Sequence, residues 1–330
     1  MKIVGMLPVY NEEDIVGQVV AHLIKQGIRL VILDNGSSDG SYGVCSSFLG
    51  KGVLHIEQIH TRAFRYQWLL KRLYSVALRY RPDWALITAA DEFLESPYRG
   101  LTLAKAIELE AEHGYNVIQF NKFEFWPTEK DYWNPAKDVR KRMRYYTWDA
   151  NYQFRAFKVS PGVTIHEGSG HYPIFPYSAP YKVAPTKFVL RHYGIRSYEQ
   201  GMKKIFRDRL PRYDPEETRR GWHIHYDFVA KDPRRMVAES SALTRYVEGD
   251  SWNLHKTFDS TGGVSSNLGY YLTRLVRPSF YPRDLSSLAI DVARRRYIDR
   301  WGGREDKMSR LVRRVIFGDW VRRFLFDAKE

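Results

Sequence analysis

The chain has 330 residues, 44% of them hydrophobic, enough to bury a large core in one big domain or two. No run of 18 apolar residues occurs, which excludes a membrane-spanning helix, and the first residues enter a strand pattern without the signature of a secretory leader. The single cysteine, Cys45, excludes an internal disulfide and a cysteine-based metal cluster. The formal charge is +14, from 52 basic and 38 acidic residues. Half of it lies between Arg294 and Arg323, where eleven basic residues face four acidic ones.

The first 120 residues alternate strand and helix signals. An apolar run at 3–7 predicts a first strand, followed by a helix over about 12–26 with Asn11 as its cap. Glu12, Glu13 and Asp14 would fill the first turn, and Gly27 would end the helix. A second strand is predicted at 29–33, then a Gly/Ser/Asp loop and a short helix from about Ser41. A third strand is predicted at 53–58. Tyr66, Leu69, Leu70, Leu73, Val76, Ala77 and Tyr80 recur at helical spacing, and Pro82 stops that helix before a strand at 84–88. A helix at 103–113 and a strand at 116–120 follow. This order predicts an α/β fold with a mainly parallel, doubly wound sheet.

From Phe123 to Arg191 short alternating runs, prolines and glycines predict an antiparallel extension with loops. Helical spacing returns at 196–212 and at 232–248. The expected organisation is therefore an α/β half at 1–122, an extension of the same domain at 123–230, and a helical, basic carboxyl-terminal region at 231–330. In the tail, Met308, Leu311, Val312, Val315 and Ile316 line one helical face opposite Arg310, Arg313 and Arg314. Residues 294–326 thus read as two short amphipathic helices suited to an anionic membrane surface or, alternatively, to docking on the parent domain with the arginines solvated. Nucleic acid is the weaker partner for this charge, because the tail pairs it with an apolar face.

Three motifs collect where strands end: Leu7-Pro8-Val9-Tyr10-Asn11-Glu12-Glu13, Asp34-Asn35-Gly36-Ser37-Ser38-Asp39-Gly40, and Ala90-Asp91-Glu92-Phe93. In an open parallel sheet that edge is where ligands bind. In order and context the three motifs resemble the nucleotide-sugar half of family 2-type glycosyltransferases with a GT-A fold. They are most similar to a subgroup whose acidic motif runs Asp-x-Asp-Glu-Phe. The first Asp of that motif falls on Ala89 here, leaving Asp91 and Glu92.

The resemblance implies roles for particular residues. Glu12, Asp34 and Asp39 would surround base and ribose, where carboxylates accept imide and hydroxyl hydrogen bonds, with Pro8 and Tyr10 shaping the wall. Asp34 and Asp39 could equally cap the following helix. Asp91 would hold a divalent metal, Mn²⁺ or Mg²⁺, with His192 as a further ligand, and Arg62 or Arg65 would stand near the phosphates. The implied reaction is inverting transfer of a sugar from a nucleotide-diphosphate donor to a glycan or lipid-linked acceptor. A carboxylate base is then needed: Glu167 is the first candidate, with Asp149 and Glu124 as competitors. His166 and His171 flank Glu167, whereas His223 and His225 lack the third ligand a zinc site needs.

Alternatives remain open. Ala89 would suit a degenerate, non-catalytic binder of nucleotide sugar or glycan. A nucleotidyltransferase would carry a Gly-rich basic loop after the first strand, where this chain is acidic. A dinucleotide enzyme would carry G-x-G-x-x-G there.

Overall fold

In the computed structural model, strand β1 (Ile3–Val9) is buried along its whole length and pairs in parallel with β2 (Arg29–Asp34). Strands covered on both faces read as continuous apolar runs, which is why these segments are legible in sequence. The model describes residues 1–131, 136–165, 173–176, 181–214 and 227–247. All of them fall in one unit, Met1–Asp250.

Helix α1 (Val16–Lys25) joins β1 to β2, and α2 (Ser41–Ser46) leads to β3 (Val53–Gln58), which pairs in parallel with β2. Helix α3 (Tyr66–Leu78) then returns the chain to β4 (Trp84–Ile87), placed beside β1 on the side away from β2. The direction of strand addition therefore reverses between β1 and β4. With right-handed crossovers, α3 lies on the sheet face opposite α1 and α2. Such a reversal opens a crevice at the carboxyl ends of the two strands.

Strand β5 (Glu92–Glu95), helix α4 (Leu103–Glu112) and strand β6 (Val117–Phe125) follow. After a single turn of helix, α5 (Val139–Arg142), the long strand β7 (Tyr145–Lys158) runs antiparallel to both β4 and β6. Strands β8 (Thr164–Ile165) and β9 (Pro173–Ile174) pair with each other, apart from the main sheet. Strand β10 (Phe188–His192) inserts between β6, to which it is parallel, and β5, to which it is antiparallel. The main sheet runs β3-β2-β1-β4-β7-β6-β10-β5, with β11 (Thr244–Arg245) pairing on β7. This is the expected mixed α/β sheet, parallel in its first half and mixed beyond β4, where only β6 and β10 pair in parallel.

Two local readings are corrected. Helix α1 begins at Val16, not at residue 12, and Asn11 does not cap it. Asn11 sits at φ +51° and its side chain ties two other segments together, accepting from the Ser38 backbone N–H and donating to Asp208. The stretch 232–248 is not a helix where it is described: it forms 3-10 turns at Pro233–Met236 and Ser240–Ala242, then β11. Pro233 suits a short turn start, and pairing with Tyr145 and Tyr146 draws the chain into the sheet. Residues 196–212 are helical as expected, but in three kinds: α6 (Tyr198–Met202), a π-helix (Lys203–Arg209) and a 3-10 turn (Leu210–Arg212). The amphipathic tail at 294–326 lies outside the described residues. Among the described residues no helix is long and apolar enough to cross a membrane.

Candidate functional site

The crevice beside β1 is lined by Pro8 from the end of β1, Tyr10 and Glu12 just after it, Asn35 just after β2, Ala89, Ala90 and Asp91 after β4, Phe64 before α3, Tyr66 at its start, and Arg209. Four of the sequence-derived candidates, Pro8, Tyr10, Glu12 and Asp91, thus meet in one cleft.

Asp34 ends β2 beside this cleft and is fully buried. Its Oδ1 accepts from the backbone N–H groups of Gly36 and Ser37 and from the Gln58 amide. Gly36 makes this turn at φ +77°, and a Cβ there would lie 2.9 Å from His60. The Oδ2 atom of Asp34 and the Nδ2 atom of Asn35 are buried without a hydrogen-bond partner among the described residues. Buried polar groups are normally paired, so two orphans on consecutive residues at a strand end suit a polar ligand edge that both donates and accepts. Asp39 ties the loop to the start of α2, whose N-cap is Gly40: its carboxylate accepts from Ser41 N–H and Glu13 N–H.

The second half of the site is an ion-pair network. Glu12 and Asp91 are both nearly inaccessible, and the Nζ of Lys204 lies 2.7 Å from the first and 2.6 Å from the second. Arg196, equally buried, joins Glu12 at 2.6 Å to both oxygens of Asp14. Asp14 is held below its usual range: burial works against the charged form, but the Arg196 hydrogen bond and charge outweigh it. Arg209 approaches Glu12 at 3.7 Å and lies over the Phe64 ring. Arg212 stacks on Tyr10, its guanidinium carbon 3.7 Å from the ring centroid, and bonds the carbonyls of Asn35 and Thr61.

His192 lies at the end of β10, between β5 and β6. Its Nε2 is 3.3 Å from Asp91, and its Nδ1 is 2.7 Å from Glu124, which also pairs with Lys122. Burial disfavours an imidazolium there, yet the Glu124 and Asp91 carboxylates prevail and hold His192 at about 9. Burial likewise opposes ionisation of Glu124, and His192 and Lys122 pull it down to about 2. Asp91 is held well below the carboxylate range, burial being overcome by Lys204 and His192. Glu124, ionised and saturated by two cations, is a poor general base, which removes one competitor for that role.

As they stand, the described residues around Asp91 and His192 do not fit a divalent ion. A divalent ion between Asp91 and His192 needs a free carboxylate and a neutral imidazole. Asp91 is already paired with an ammonium and a charged imidazole, and Ala89 supplies no second carboxylate. Glu92 cannot substitute, since one oxygen accepts from Ala89 N–H and the other binds the buried Arg155. No group of three metal-ligating side chains occurs among the described residues.

Other candidates lie elsewhere. Arg65 pairs with Asp214 at 2.8 Å and, with Arg62, lines a neighbouring depression with Thr61 and Trp68. Glu167, His166, His171, His223 and His225 lie outside the described residues. The backbone of Asp149 sits in β7 opposite Lys122. Sequence reasoning missed Arg196, Lys204, Arg209 and Arg212. For the last three the signal available was the density of cations in Lys203–Arg212, five in ten residues.

Comparisons with known proteins complete the picture. No curated protein matches the chain at a significant level. Solved structures of S. aureus TarS overlap it partially. The TarS 1-349 complex with UDP shares 19% identity over 41% of this chain and 37% of its own, at a TM-score of 0.28. The UDP-GlcNAc complex shares 17% over 41% and 36%, also at 0.28. A further TarS 1-349 structure shares 13% over 80% and 74%, at 0.37. This chain therefore spans little more than a third of the first two. Residues 6–91, which run from β1 to the Asp91 turn and carry Pro8, Tyr10, Glu12, Asp34 and Asp91, match the family model of glycosyl transferase family 2.

Proposed function

We propose that this protein is an inverting glycosyltransferase that moves a sugar, of the hexose type, from a nucleotide-diphosphate donor to a glycan or lipid-linked acceptor in cell-surface polysaccharide synthesis. The observation that carries the reading is the pair of orphan polar atoms, Asp34 Oδ2 and Asn35 Nδ2, beside a cleft whose strand ends match the family 2 model. A carboxylate acceptor next to an amide donor is complementary to the imide N–H and carbonyl of uracil or guanine. The Tyr10 ring, already stacked by Arg212, offers a flat wall for a base. Arg209, reaching into the same cleft, would face the diphosphate.

In the reaction, the acceptor hydroxyl loses its proton to a carboxylate as its oxygen attacks the anomeric carbon. The bond from that carbon to the diphosphate oxygen breaks in line, and its electron pair leaves with the nucleoside diphosphate. Glu167 and Asp149 are the proposed bases. Positive groups fixed beside the departing diphosphate lower the barrier because its charge grows as the bond breaks. Residues 294–326 would hold the enzyme at the anionic inner face of a membrane, close to lipid-linked acceptors.

The test is calorimetry and nucleoside-diphosphate release with a panel of nucleotide sugars, with and without glycan acceptors. Binding of one donor and its turnover are expected; failure of every donor to bind would sink the reading. Ala89 and the Lys204–Asp91 contact favour a second reading, a non-catalytic binder. That protein would bind a donor and release nothing with any acceptor.

A further inference from the structure

We infer that Lys204 is the resident cation of this site, standing between Glu12 and Asp91 where a divalent ion would otherwise bind, and opposing the donor diphosphate in its place. The role toward diphosphate rests on the glycosyl-transfer reading; the cation position rests on geometry alone.

The argument begins with charge. Glu12 and Asp91 come from the ends of two adjacent strands and are 2% and 5% exposed. Two carboxylates brought so close in so little water require a positive partner. In many phosphate-handling sites that partner is a metal held by one or two carboxylates and the phosphates themselves. Here a side-chain ammonium bridges both, at 2.7 and 2.6 Å, and is itself 3% exposed. A buried lysine is rare unless paired, and this one is paired twice.

The backbone that delivers it is unusual in the same place. Lys204 lies in the π-helix Lys203–Arg209, a rare form that is frequent at functional sites. Lys204 and Asp208 turn inward from it and are buried. They meet consecutive residues of the β1 loop: Lys204 pairs with Glu12, and Asp208 accepts from Asn11. The ammonium is thus positioned by a second polar anchor one turn away. Ala89 fits the same account, since a third carboxylate would add a negative charge to a set already matched by Lys204, Arg196 and His192.

The test measures the metal and the reaction separately, on the full-length protein. Binding of Mn²⁺ alone is followed by loss of the free-ion signal in electron paramagnetic resonance. The wild type should leave that signal unchanged, whereas Lys204→Ala, in which Glu12 Oε1 and Asp91 Oδ2 lose their shared ammonium, should take up Mn²⁺. Lys204→Gln, which keeps hydrogen-bond donors but no charge, repeats the comparison should the alanine variant fail to fold. Uptake by the wild type, or no difference between it and the variants, would overturn the inference. For the donor found by calorimetry, EDTA should change wild-type turnover by less than about two-fold. Lys204→Ala should lose about 100-fold, the scale of one fixed electrostatic stabiliser, and Mn²⁺ should restore part of it. Wild-type turnover abolished by EDTA would equally overturn it. Because the Mn²⁺ arm needs no donor, it decides the Lys204 assignment even where every nucleotide sugar fails to bind.

Discussion

The imidazole of His192 reaches both oxygens of Glu124 at 2.7 Å, across two parallel strands on which these residues are direct partners. With Asp91 on its other nitrogen, the ring is charged at neutral pH, held at about 9 from an ordinary 6.5. A raised folded-state value means that this stabilisation is complete below about 6.5 and is lost as pH rises through about 9. The shift corresponds to about 3 kcal/mol, shared with the two carboxylates as a coupled set. Thermal melts from pH 6 to 10 should show wild-type stability falling across that window, with the slope reduced in His192→Gln. Equal slopes would mean that the ring is neutral in the fold.

Asp34 offers the sharpest test of the nucleotide edge. In Asp34→Asn, one oxygen still accepts from Gly36 and Ser37, but the free position then carries an N–H instead of an acceptor. Losing a hydrogen bond to a charged group costs about 1.5–3 kcal/mol, so nucleotide affinity should fall about 10- to 100-fold. The fold should persist, as checked by an unchanged melting curve. Unaltered affinity by calorimetry would remove Asp34 from the donor site.

Arg155 is a structural keystone beneath the Asp91 turn. It is buried, binds Glu92 at 2.5 Å and Gln153 at 2.7 Å, and Glu92 in turn accepts from Ala89 N–H. Truncating one member of a buried pair leaves the other charge uncompensated, so Arg155→Ala should cost about 3–5 kcal/mol. Urea unfolding followed by tryptophan fluorescence measures this directly. A loss below about 1 kcal/mol would show that Glu92 finds another partner.

Arg209 should separate binding from folding. It is held over Phe64 and only loosely toward Glu12, at 3.7 Å. Arg209→Ala should leave the melting temperature nearly unchanged while weakening donor binding about 10-fold, as expected for one lost charge-assisted contact. The weakening should shrink as salt is raised. An equal affinity in the variant would assign the diphosphate to other cations.

The parallel half of the fold was legible because its strands are buried on both faces. β1, β2 and β4 are continuous apolar runs, and the polar residues that follow each run fall at the sheet edge that forms the cleft. Asn11 shows the limit of local reading: it has the composition of a helix cap, but Ser38 and Asp208 compete for it and win. The pairing of Asp91 was hidden for a related reason. Asp91 was readable by motif, whereas its partner Lys204 is 113 residues away and announces itself only as one cation among many. The Thr244–Arg245 bridge was hidden likewise, because pairing with β7 is a tertiary event.

The placement of β10 has a consequence for how the chain matures during synthesis. β5 emerges early, yet among the described residues its neighbour in the sheet is β10, drawn from nearly a hundred positions later. Until Phe188–His192 leaves the ribosome, β5 and the outer side of β6 remain open edges, vulnerable to pairing with other chains. Distant pairings of this kind are slow to form. Truncation before residue 188 would therefore yield a sticky, unfinished sheet, and a full-length transcript with a chaperone-rich host is the sounder route to material.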